Sequence, residues 1–129
     1  MCIFCQIAAK ELPAKIVYED REVLAILDIS QATRGHTLVI PKVHYANVFE
    51  LPDSLAAHLH QVTLELASKI SEKLKTAGCN ILTNVNEAAG QSVFHCHLHI
   101  LPRYPDDDLT IKFTGHQEDL EEILAAIIN

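Results

Sequence analysis

The sequence predicts one α+β domain with a largely antiparallel sheet, and three observations support this prediction. The chain has 129 residues, of which 49% are apolar and 21% charged, enough for a single compact core. Five β-rich runs occur in two groups along the chain. One long amphipathic run separates the two groups and predicts a helix. The resulting order, αβββαββα, favours a meandering sheet that one long helix covers.

Each predicted element follows from local signals. A short helix is expected around residues 3–9. The long helix has Pro52 in its first turn and ends before Gly78, and apolar residues recur in it at steps of three to four. Residues 118–128 predict a C-terminal helix with acids in its first turn, where the helix dipole favours them. The five strands, each bounded by Gly, Pro, Asn or Asp, are expected at residues 15–18, 22–27, 37–40, 80–85 and 93–101.

Negative charge is concentrated towards the C-terminal end. The net charge is −7, and residues 105–129 hold seven acids against one base, Lys112. We therefore expect one domain over residues 1–129, with a core of 2–104 and an acidic segment of 105–129. The negative sum argues against nucleic acid as a partner. The nearly neutral core still allows a small anionic ligand.

The sequence indicates neither a membrane anchor nor a signal peptide. Its longest apolar run, residues 123–128, is far shorter than the ~20 residues of a membrane helix. Residues 1–5 show no basic region followed by a long apolar stretch. We expect a cytoplasmic protein with no membrane partner. In that reducing compartment the Cys2-x-x-Cys5 pair is better explained as a metal or redox pair than as a disulfide framework.

Eight histidines are many for so short a chain, and three of them alternate along one predicted strand. His95, His97 and His99 would line one face of the strand, because successive side chains point to opposite faces. The rings would be ~6.6 Å apart, close enough to share a metal, a phosphate or a hydrogen-bond network. The alternative is an exposed strand on which the histidines have no function. That alternative is disfavoured, because β-branched residues pack better than histidine at such strand positions.

Residues near this strand offer further polar groups. Gly90-Gln91-Ser92-Val93 precedes it, and such a turn can aim backbone and side-chain donors at an oxyanion, although it can also be an ordinary turn. Asp28 ends an apolar strand, where an Asx turn with Ser30 is the simple explanation. Cys79 and Cys96 are predicted to be buried small residues. The surface histidines are expected to be His58, His60 and His116.

The sequence resembles the histidine triad (HIT) family of nucleotide hydrolases and transferases. The motif His95-x-His97-x-His99 carries the resemblance, and four blocks in the family's order extend it over most of residues 2–104: 27–30, 35–42, 89–93 and 102–104. The branch with an N-terminal Cys-x-x-Cys is the most similar, and it includes bacterial HIT proteins and resembles the nucleoside phosphoramidases. The resemblance implies a HIT-like five-stranded sheet and a homodimer joined across the long helix and the central strand.

The resemblance also implies a role for each site residue. His97 would attack the α-phosphorus and form a covalent nucleotidyl-histidine, oriented by the backbone carbonyl of His95. His99 and Gln91 would bind phosphate oxygens, Ser92 would assist the leaving group and His36 would support the cluster. The nucleotide would also contact Asp28 through its ribose hydroxyls, and Asn84 and Val93 would lie beside the phosphate, with Asn86 as the alternative to Asn84. An apolar set would enclose the purine: Ile3, Phe4, Ile7, Leu27, Ile29 and Leu38.

The resemblance further assigns a structural zinc site. A tetrahedral zinc needs two ligands besides Cys2 and Cys5, and the branch supplies them at the positions of His44 and His95. No organic cofactor is expected.

The expected activity is hydrolysis of a purine nucleoside 5′-phosphoramidate to AMP. A dinucleoside polyphosphate or ADP is the alternative substrate. Two alternatives of other classes stay open: a metal-dependent hydrolase whose ligands are the three triad histidines, and a nucleotide-binding sensor without catalysis.

Overall fold

A computed structural model describes residues 2–129 and confirms the predicted α+β architecture. Five strands form one sheet in the order β1-β2-β3-β5-β4, and all neighbouring strands are antiparallel. The strands are β1 Ile16–Glu19, β2 Val23–Leu27, β3 Thr37–Pro41, β4 Gly78–Leu82 and β5 Leu98–Arg103. The helices are α1 Ile3–Ala8, α2 Asp53–Leu74 and α3 Leu120–Ile128, with short 3-10 turns at Val48–Glu50 and Glu87–Ala89.

The sheet separates two apolar cores. Strands β2 and β3 are buried on both faces, which explains why their sequences are continuous apolar runs rather than alternating ones. The core on the α2 face contains Val23, Ala25, Val39, Leu55, Leu59, Val62, Leu66, Ala67, Cys96, Leu98 and Ile100. The core on the α1 face contains Phe4, Ile7, Leu24, Ile26, Leu38 and Ile40.

The long helix α2 ends at Leu74, four residues before Gly78, the predicted stop. Lys75 adopts a left-handed conformation with φ 55°, and its N–H donates to the Ser71 carbonyl, which closes the helix. Gly78 instead begins β4. Gly35 is the position where a glycine is required, because a Cβ there would lie 2.6 Å from Leu74 Cδ1 and φ is +94°.

The triad strand is shorter than predicted. Strand β5 begins at Leu98 rather than at residue 93, so His95 and His97 lie in the extended segment that leads into it. That segment is held by loops rather than by sheet pairing: the Cys96 N–H donates to the Tyr45 carbonyl at 2.6 Å. Strand β4 ends at Leu82, where it pairs with His99, so the predicted extension to residue 85 is wrong.

Two predictions of burial or exposure are wrong, and three are confirmed. Cys79 is exposed, because β4 is an edge strand. His58 is half-buried, since its Nε2 lies 2.6 Å from Oδ2 of Asp20 in the turn after β1. Cys96 is buried, and burial raises the pKa of its thiol to about 12, so it packs as a small neutral side chain. His60 and His116 are exposed as predicted.

The C-terminal segment is anchored only at its start. Arg103 donates to both carboxylate oxygens of Asp107 at 2.9 Å and also to the Leu109 carbonyl. From Thr110 onward every residue is exposed except Ile123, which is partly covered, and α3 contains no buried residue. We call residues 110–129 the C-terminal arm. Among residues 2–129 there is no helix that is both long and apolar enough to cross a bilayer.

Candidate active site

Three imidazoles form a contiguous cluster on the α1 face of the sheet. His99 lies in β5, His36 directly precedes β3, and His97 directly precedes β5. Leu38 pairs with His99 across the two strands, which brings His36 beside His99. The His36 Nε2 and His99 Nδ1 atoms are 3.0 Å apart, and the ring centroids of His97 and His99 are 4.9 Å apart.

Hydrogen bonds determine which ring nitrogens of this cluster carry protons. The backbone N–H of Ala32 donates to Nδ1 of His36 at 3.2 Å, so the proton of neutral His36 is on Nε2. That N–H donates to Nδ1 of His99. Neutral His99 therefore carries its own proton on Nε2, where it is a hydrogen-bond donor.

His97 has the opposite arrangement. Its Nδ1 donates to the backbone carbonyl of His95 at 2.7 Å, which leaves a lone pair on Nε2. The hydroxyl of Thr83 donates to the His97 carbonyl at 2.7 Å and fixes the backbone there. The ring of Phe4 meets the His97 ring edge-on, with centroids 5.1 Å apart. A nucleophilic nitrogen and an N–H donor are thus held on adjacent rings.

The cluster is neutral at physiological pH. Burial lowers the pKa of both His36 and His97. Burial, followed by the neighbouring His97 and His36 rings, lowers the pKa of His99 to about 4. The nitrogen lone pair on His97 is therefore available without removal of a proton.

An apolar groove of 210 Å³ opens beside the cluster, between α1 and the ends of β2 and β3. It is lined by eight residues predicted for the nucleotide, namely Ile3, Phe4, Ile7, Leu27, Asp28, Ile29, Leu38 and Val93, and by Pro13, Ala14 and Ile26. Ile29 is fully exposed at the rim. The groove has the apolar lining and single carboxylate typical of a small-ligand site.

Asp28 forms the predicted Asx turn and also borders the groove. Its Oδ1 accepts from the Ser30 N–H at 2.8 Å, which is the Asx turn. Its Oδ2 lies 3.7 Å from Nε2 of His36 and faces the groove, which Asp28 lines. Gln31 holds this loop closed, since its amide donates to the Asp28 and His36 carbonyls.

The amide residues lie on the loops around the site. Gln91 is buried, and its amide is engaged with backbone: Nε2 donates to the Ala46 carbonyl at 2.6 Å, and Oε1 accepts from the Asn86 N–H at 2.8 Å. A contact between Gln91 and phosphate would require these bonds to break. Ser92 is exposed, and Asn84 is half-buried in the loop after β4.

Four predicted metal ligands converge on one point. Their ligand atoms, one each from Cys2, Cys5, His44 and His95, all lie within 4.8 Å of one another. The Cys2 Sγ and His95 Nδ1 atoms are 3.4 Å apart, Cys5 Sγ and His44 Nδ1 are 3.3 Å apart, and the two Nδ1 atoms are 3.2 Å apart. Zinc with its usual bond lengths in a tetrahedron separates S and N ligands by about 3.5 Å. The four residues therefore fit a zinc ion.

The second nitrogen of His95 supports the same conclusion. His95 is completely buried, and its Nε2 lies 2.8 Å from the Pro41 carbonyl, to which it donates. Nδ1 then holds a lone pair that faces the thiols. Histidines that bind metals usually donate their other N–H in this way. The first triad histidine is thus turned towards the cysteines and away from the other two triad rings.

Sequence reasoning missed several residues that build the site. Thr83 and Gln31 hold it through bonds to backbone carbonyls, and nothing in their local sequence indicates such a partner. Pro13 and Ala14 line the groove after α1. The sequence did contain one signal for them: these two apolar residues are adjacent and lie between two predicted elements.

Comparisons with known proteins agree with this geometry. A family profile described as the HIT domain matches residues 9–106. Protein hit of Bacillus subtilis is 52% identical over 107 residues, which are 83% of this chain and 74% of that protein. An adenylylsulfatase of Arabidopsis thaliana is 39% identical over 108 residues, which are 84% of this chain and 55% of that protein.

Solved structures show the same fold. A crystal structure of a HIT family member from Bacillus subtilis is 47% identical and superposes with a TM-score of 0.91, covering 98% of this chain and 94% of that one. A zinc-bound histidine triad family protein of Mycobacterium smegmatis is 42% identical, with a TM-score of 0.80 and coverage of 94% and 86%. Profile, relatives and folds agree, and the chain belongs to the HIT family of nucleotide-binding hydrolases and transferases.

Proposed function

We propose that this protein hydrolyses purine nucleoside 5′-phosphoramidates to AMP through a covalent nucleotidyl-His97 intermediate. The observation that carries the proposal is the pair of tautomers in the cluster. His97 has a lone pair on Nε2, and neighbouring His99 has an N–H on Nε2. One ring can attack phosphorus while the other donates to a phosphate oxygen.

In the first step, Nε2 of His97 bonds to the α-phosphorus and the bond from phosphorus to the amine breaks. The amine leaves with the bonding pair and takes a proton that exposed Ser92 relays from solvent. Nδ1–H of His97 stays bonded to the His95 carbonyl, which stabilises the positive charge on the substituted ring. In the second step, water bonds to phosphorus and loses a proton, the His97–phosphorus bond breaks, and AMP leaves.

The groove accounts for recognition of the nucleoside in this proposal. The purine lies among the apolar side chains between α1 and β2, and the Asp28 carboxylate accepts from the ribose hydroxyls. Asn84, Gln91, Ser92 and Val93 are proposed on the phosphate side. His36 acts through His99, because its Nε2–H fixes the tautomer of that ring.

A second candidate substrate is adenylyl sulfate, because one relative with 39% identity is an adenylylsulfatase. Cleavage of adenylyl sulfate at the α-phosphorus uses the same first step, with sulfate instead of an amine as the leaving group. A substrate panel distinguishes the candidates. Purified protein should turn over an AMP amide with the highest kcat/KM, ahead of adenylyl sulfate, a diadenosine polyphosphate and ADP.

Trapping the intermediate tests the chemistry directly. Protein quenched in alkali during turnover should carry one adenylyl group by mass spectrometry, on a peptide that contains His97. His97→Ala should carry none, whereas His60→Ala, a change at an exposed position on α2, should behave as wild type. If wild type turns over substrate without an adduct, direct attack by water replaces the covalent route. AMP binding without turnover would instead identify a sensor.

We propose that Cys2, Cys5, His44 and His95 hold a structural zinc ion. The separations of the ligand atoms support it, and so does the zinc-bound relative. Zinc here would tie α1 to the segment before β5. A catalytic metal on all three triad histidines is disfavoured, because His95 Nδ1 faces the thiols while His97 and His99 face each other. Cobalt substitution should give the absorption bands of a tetrahedral thiolate site, which Cys2→Ser/Cys5→Ser would lose.

A cytoplasmic homodimer completes the proposal. The thiol ligands suit a reducing compartment. Strand β4 lies at the sheet edge with unpaired backbone groups, and Ile81 there and Leu64 on α2 are exposed. A strand with a free edge can join a second sheet, whereas a central strand cannot. Light scattering of the purified protein measures the oligomeric state.

A further inference from the structure

The nucleotide groove adjoins a second, larger cavity at the end of α1. The second cavity has a volume of 410 Å³, compared with 210 Å³ for the groove. Ile7, Pro13 and Ala14 line both cavities, so the two meet along these residues. The remaining walls of the second cavity are Lys10, Glu11, Leu12 and Ile16. The proposed reaction uses none of these four residues.

One row of cross-strand neighbours runs from the histidine cluster to the second cavity. His99 pairs with Leu38 in β3, and Leu38 pairs with Ile26 in β2. Ile26 in turn pairs with Ile16 in the edge strand β1. Paired residues point to the same face of a sheet, and three strand spacings make the row about 14 Å long. Leu38 and Ile26 line the nucleotide groove, and Ile16 lines the second cavity. Histidine cluster, groove and second cavity therefore follow one another across the sheet.

The helix α1 shows the same order. The ring of Phe4 contacts the ring of His97, and Phe4 lines only the nucleotide groove. Ile7 is three residues further along the helix, a rise of about 4.5 Å, and lines both cavities. Lys10, just after the helix, lines only the second cavity. A nucleotide with its α-phosphorus at His97 and its base in the groove therefore presents the far edge of the base to the second cavity.

The second cavity is mostly apolar, and its shape is fixed by the turn after α1. The Lys10 N–H donates to the Ile7 carbonyl at 3.0 Å. The Nζ atom of Lys10 lies 2.8 Å from Oε1 of Glu19, so the charge at the rim is already paired. Leu12 and Ile16 leave apolar surface exposed. An apolar group that fills such a preformed cavity gains burial while little of the protein has to become ordered.

We propose that the second cavity binds an apolar substituent on the six-membered ring of the purine, so that the protein accepts nucleotides whose adenine carries an alkyl or aryl group on N6. This inference rests on the proposed function, because it takes the groove to be the purine site. The six-membered ring is the part of the purine furthest from the ribose, and its exocyclic nitrogen points away from the glycosidic bond. An apolar rather than a charged substituent fits, since Lys10 is paired with Glu19.

Binding of N6-benzyl-AMP, measured by calorimetry alongside AMP, tests the proposal. The benzyl derivative should bind the wild-type protein about tenfold more tightly than AMP, because its aryl surface is buried in the second cavity. 8-Benzylamino-AMP carries a similar group on the ring edge beside the ribose. It should bind no more tightly than AMP.

Two residues that line the second cavity but not the groove provide the variants. Leu12→Ser and Ile16→Thr should each reduce the advantage of N6-benzyl-AMP over AMP, and the double variant should abolish it while the affinity for AMP is unchanged. Both positions are exposed, so the fold should be retained, which circular dichroism checks. Lys15→Ala is the matched control, because Lys15 is exposed, adjoins Ile16 and lines neither cavity. This variant should keep the full advantage.

The outcomes distinguish this proposal from the proposed chemistry, which turnover of an AMP amide measures separately. If the AMP amide is turned over but N6-benzyl-AMP binds no more tightly than AMP, the subsite is absent and the chemistry stands. If the benzyl advantage depends on Leu12 and Ile16 but the AMP amide is not turned over, the subsite stands and the chemistry is wrong. An advantage that survives the double variant, or that 8-benzylamino-AMP shares, places the aryl group elsewhere and overturns the proposal.

Discussion

The backbone carbonyl of His95 accepts the Nδ1 proton of His97 at 2.7 Å, while the side chain of the same His95 faces the two cysteines and His44. One residue therefore belongs to the candidate zinc site through its ring and to the candidate nucleophile through its main chain. Metal occupancy and the orientation of His97 are physically linked by a single rigid residue.

Removal of the metal should lower kcat more than it changes KM. Without zinc, His95 loses the bond that fixes its ring, and the carbonyl that orients His97 becomes mobile. We expect kcat to fall about 10–100-fold, the range typical when support around a site is lost. Chelator-treated protein is assayed with AMP amide, with zinc content measured in parallel and circular dichroism showing that the fold persists. If kcat is unchanged in folded, metal-free protein, the metal site does not control the orientation of His97.

Replacing the nucleophile should abolish turnover but preserve binding. His97→Ala removes the attacking nitrogen and leaves the apolar groove intact, so kcat should drop by at least about 10³-fold. The dissociation constant for AMP, measured by calorimetry, should change only a few-fold. Turnover by His97→Ala close to the wild-type rate would assign the chemistry to another group.

The hydrogen bond from His36 to His99 predicts that His36 affects catalysis by fixing the tautomer of His99. His36→Phe keeps a ring of similar shape but removes the Nε2–H that donates to Nδ1 of His99. His99 can then place its proton on either nitrogen, and we expect kcat to fall about tenfold or more with little effect on AMP binding. Nitrogen NMR of His99 should show Nε2 protonated in wild type and a mixture in the variant. If the wild-type spectrum shows the proton of His99 on Nδ1, this assignment of the tautomers is wrong.

The neutral cluster also makes stability depend on pH in a defined direction. The pKa of His99 is lowered to about 4 in the folded protein, and an unfolded histidine titrates near 6.5. Between these values the unfolded state binds more protons, so the free energy of unfolding should fall as pH decreases from about 6.5 to about 4. Denaturant titrations at pH 7 and pH 5 should show a smaller loss for His99→Gln than for wild type. Equal losses would mean that His99 is not buried as a neutral ring.

The core on the α2 face should respond to truncation as a well-packed interior. Leu59 is 1% exposed and packs against the sheet from the middle of α2. Leu59→Ala should reduce the free energy of unfolding by about 2–5 kcal/mol, through lost burial and a remaining cavity. His60→Ala, an exposed position on the same helix, is the control and should cost much less. Similar losses for both would show a loosely packed core.

Sequence reasoning predicted the elements because their apolar patterns are local. It placed the triad rings on one side and Cys96 on the other, since alternation along an extended chain continues even where sheet pairing stops. It could not predict that β5 begins only at Leu98, because pairing depends on the register of β4, which comes from distant residues.

The errors in burial have the same origin. Cys79 follows an apolar pattern, but its exposure depends on β4 being an edge strand, which is a property of strand order. His58 contacts Asp20 across 38 positions of sequence, and no local signal indicates that contact. The complete set of zinc ligands could be assigned only through the resemblance to a family, because the sequence spacing by itself pairs only Cys2 with Cys5.

The presence of separate cores on the two faces of the sheet determines how this chain can be redesigned. Leu59 and its neighbours under α2 are buried, whereas the nucleotide groove lies on the other face and its walls there include exposed Ile3 and Ile29. A mutant library confined to these two positions would alter the choice of base while sparing the interior under α2. Substrate preference and thermal tolerance can therefore be selected in independent rounds of directed evolution.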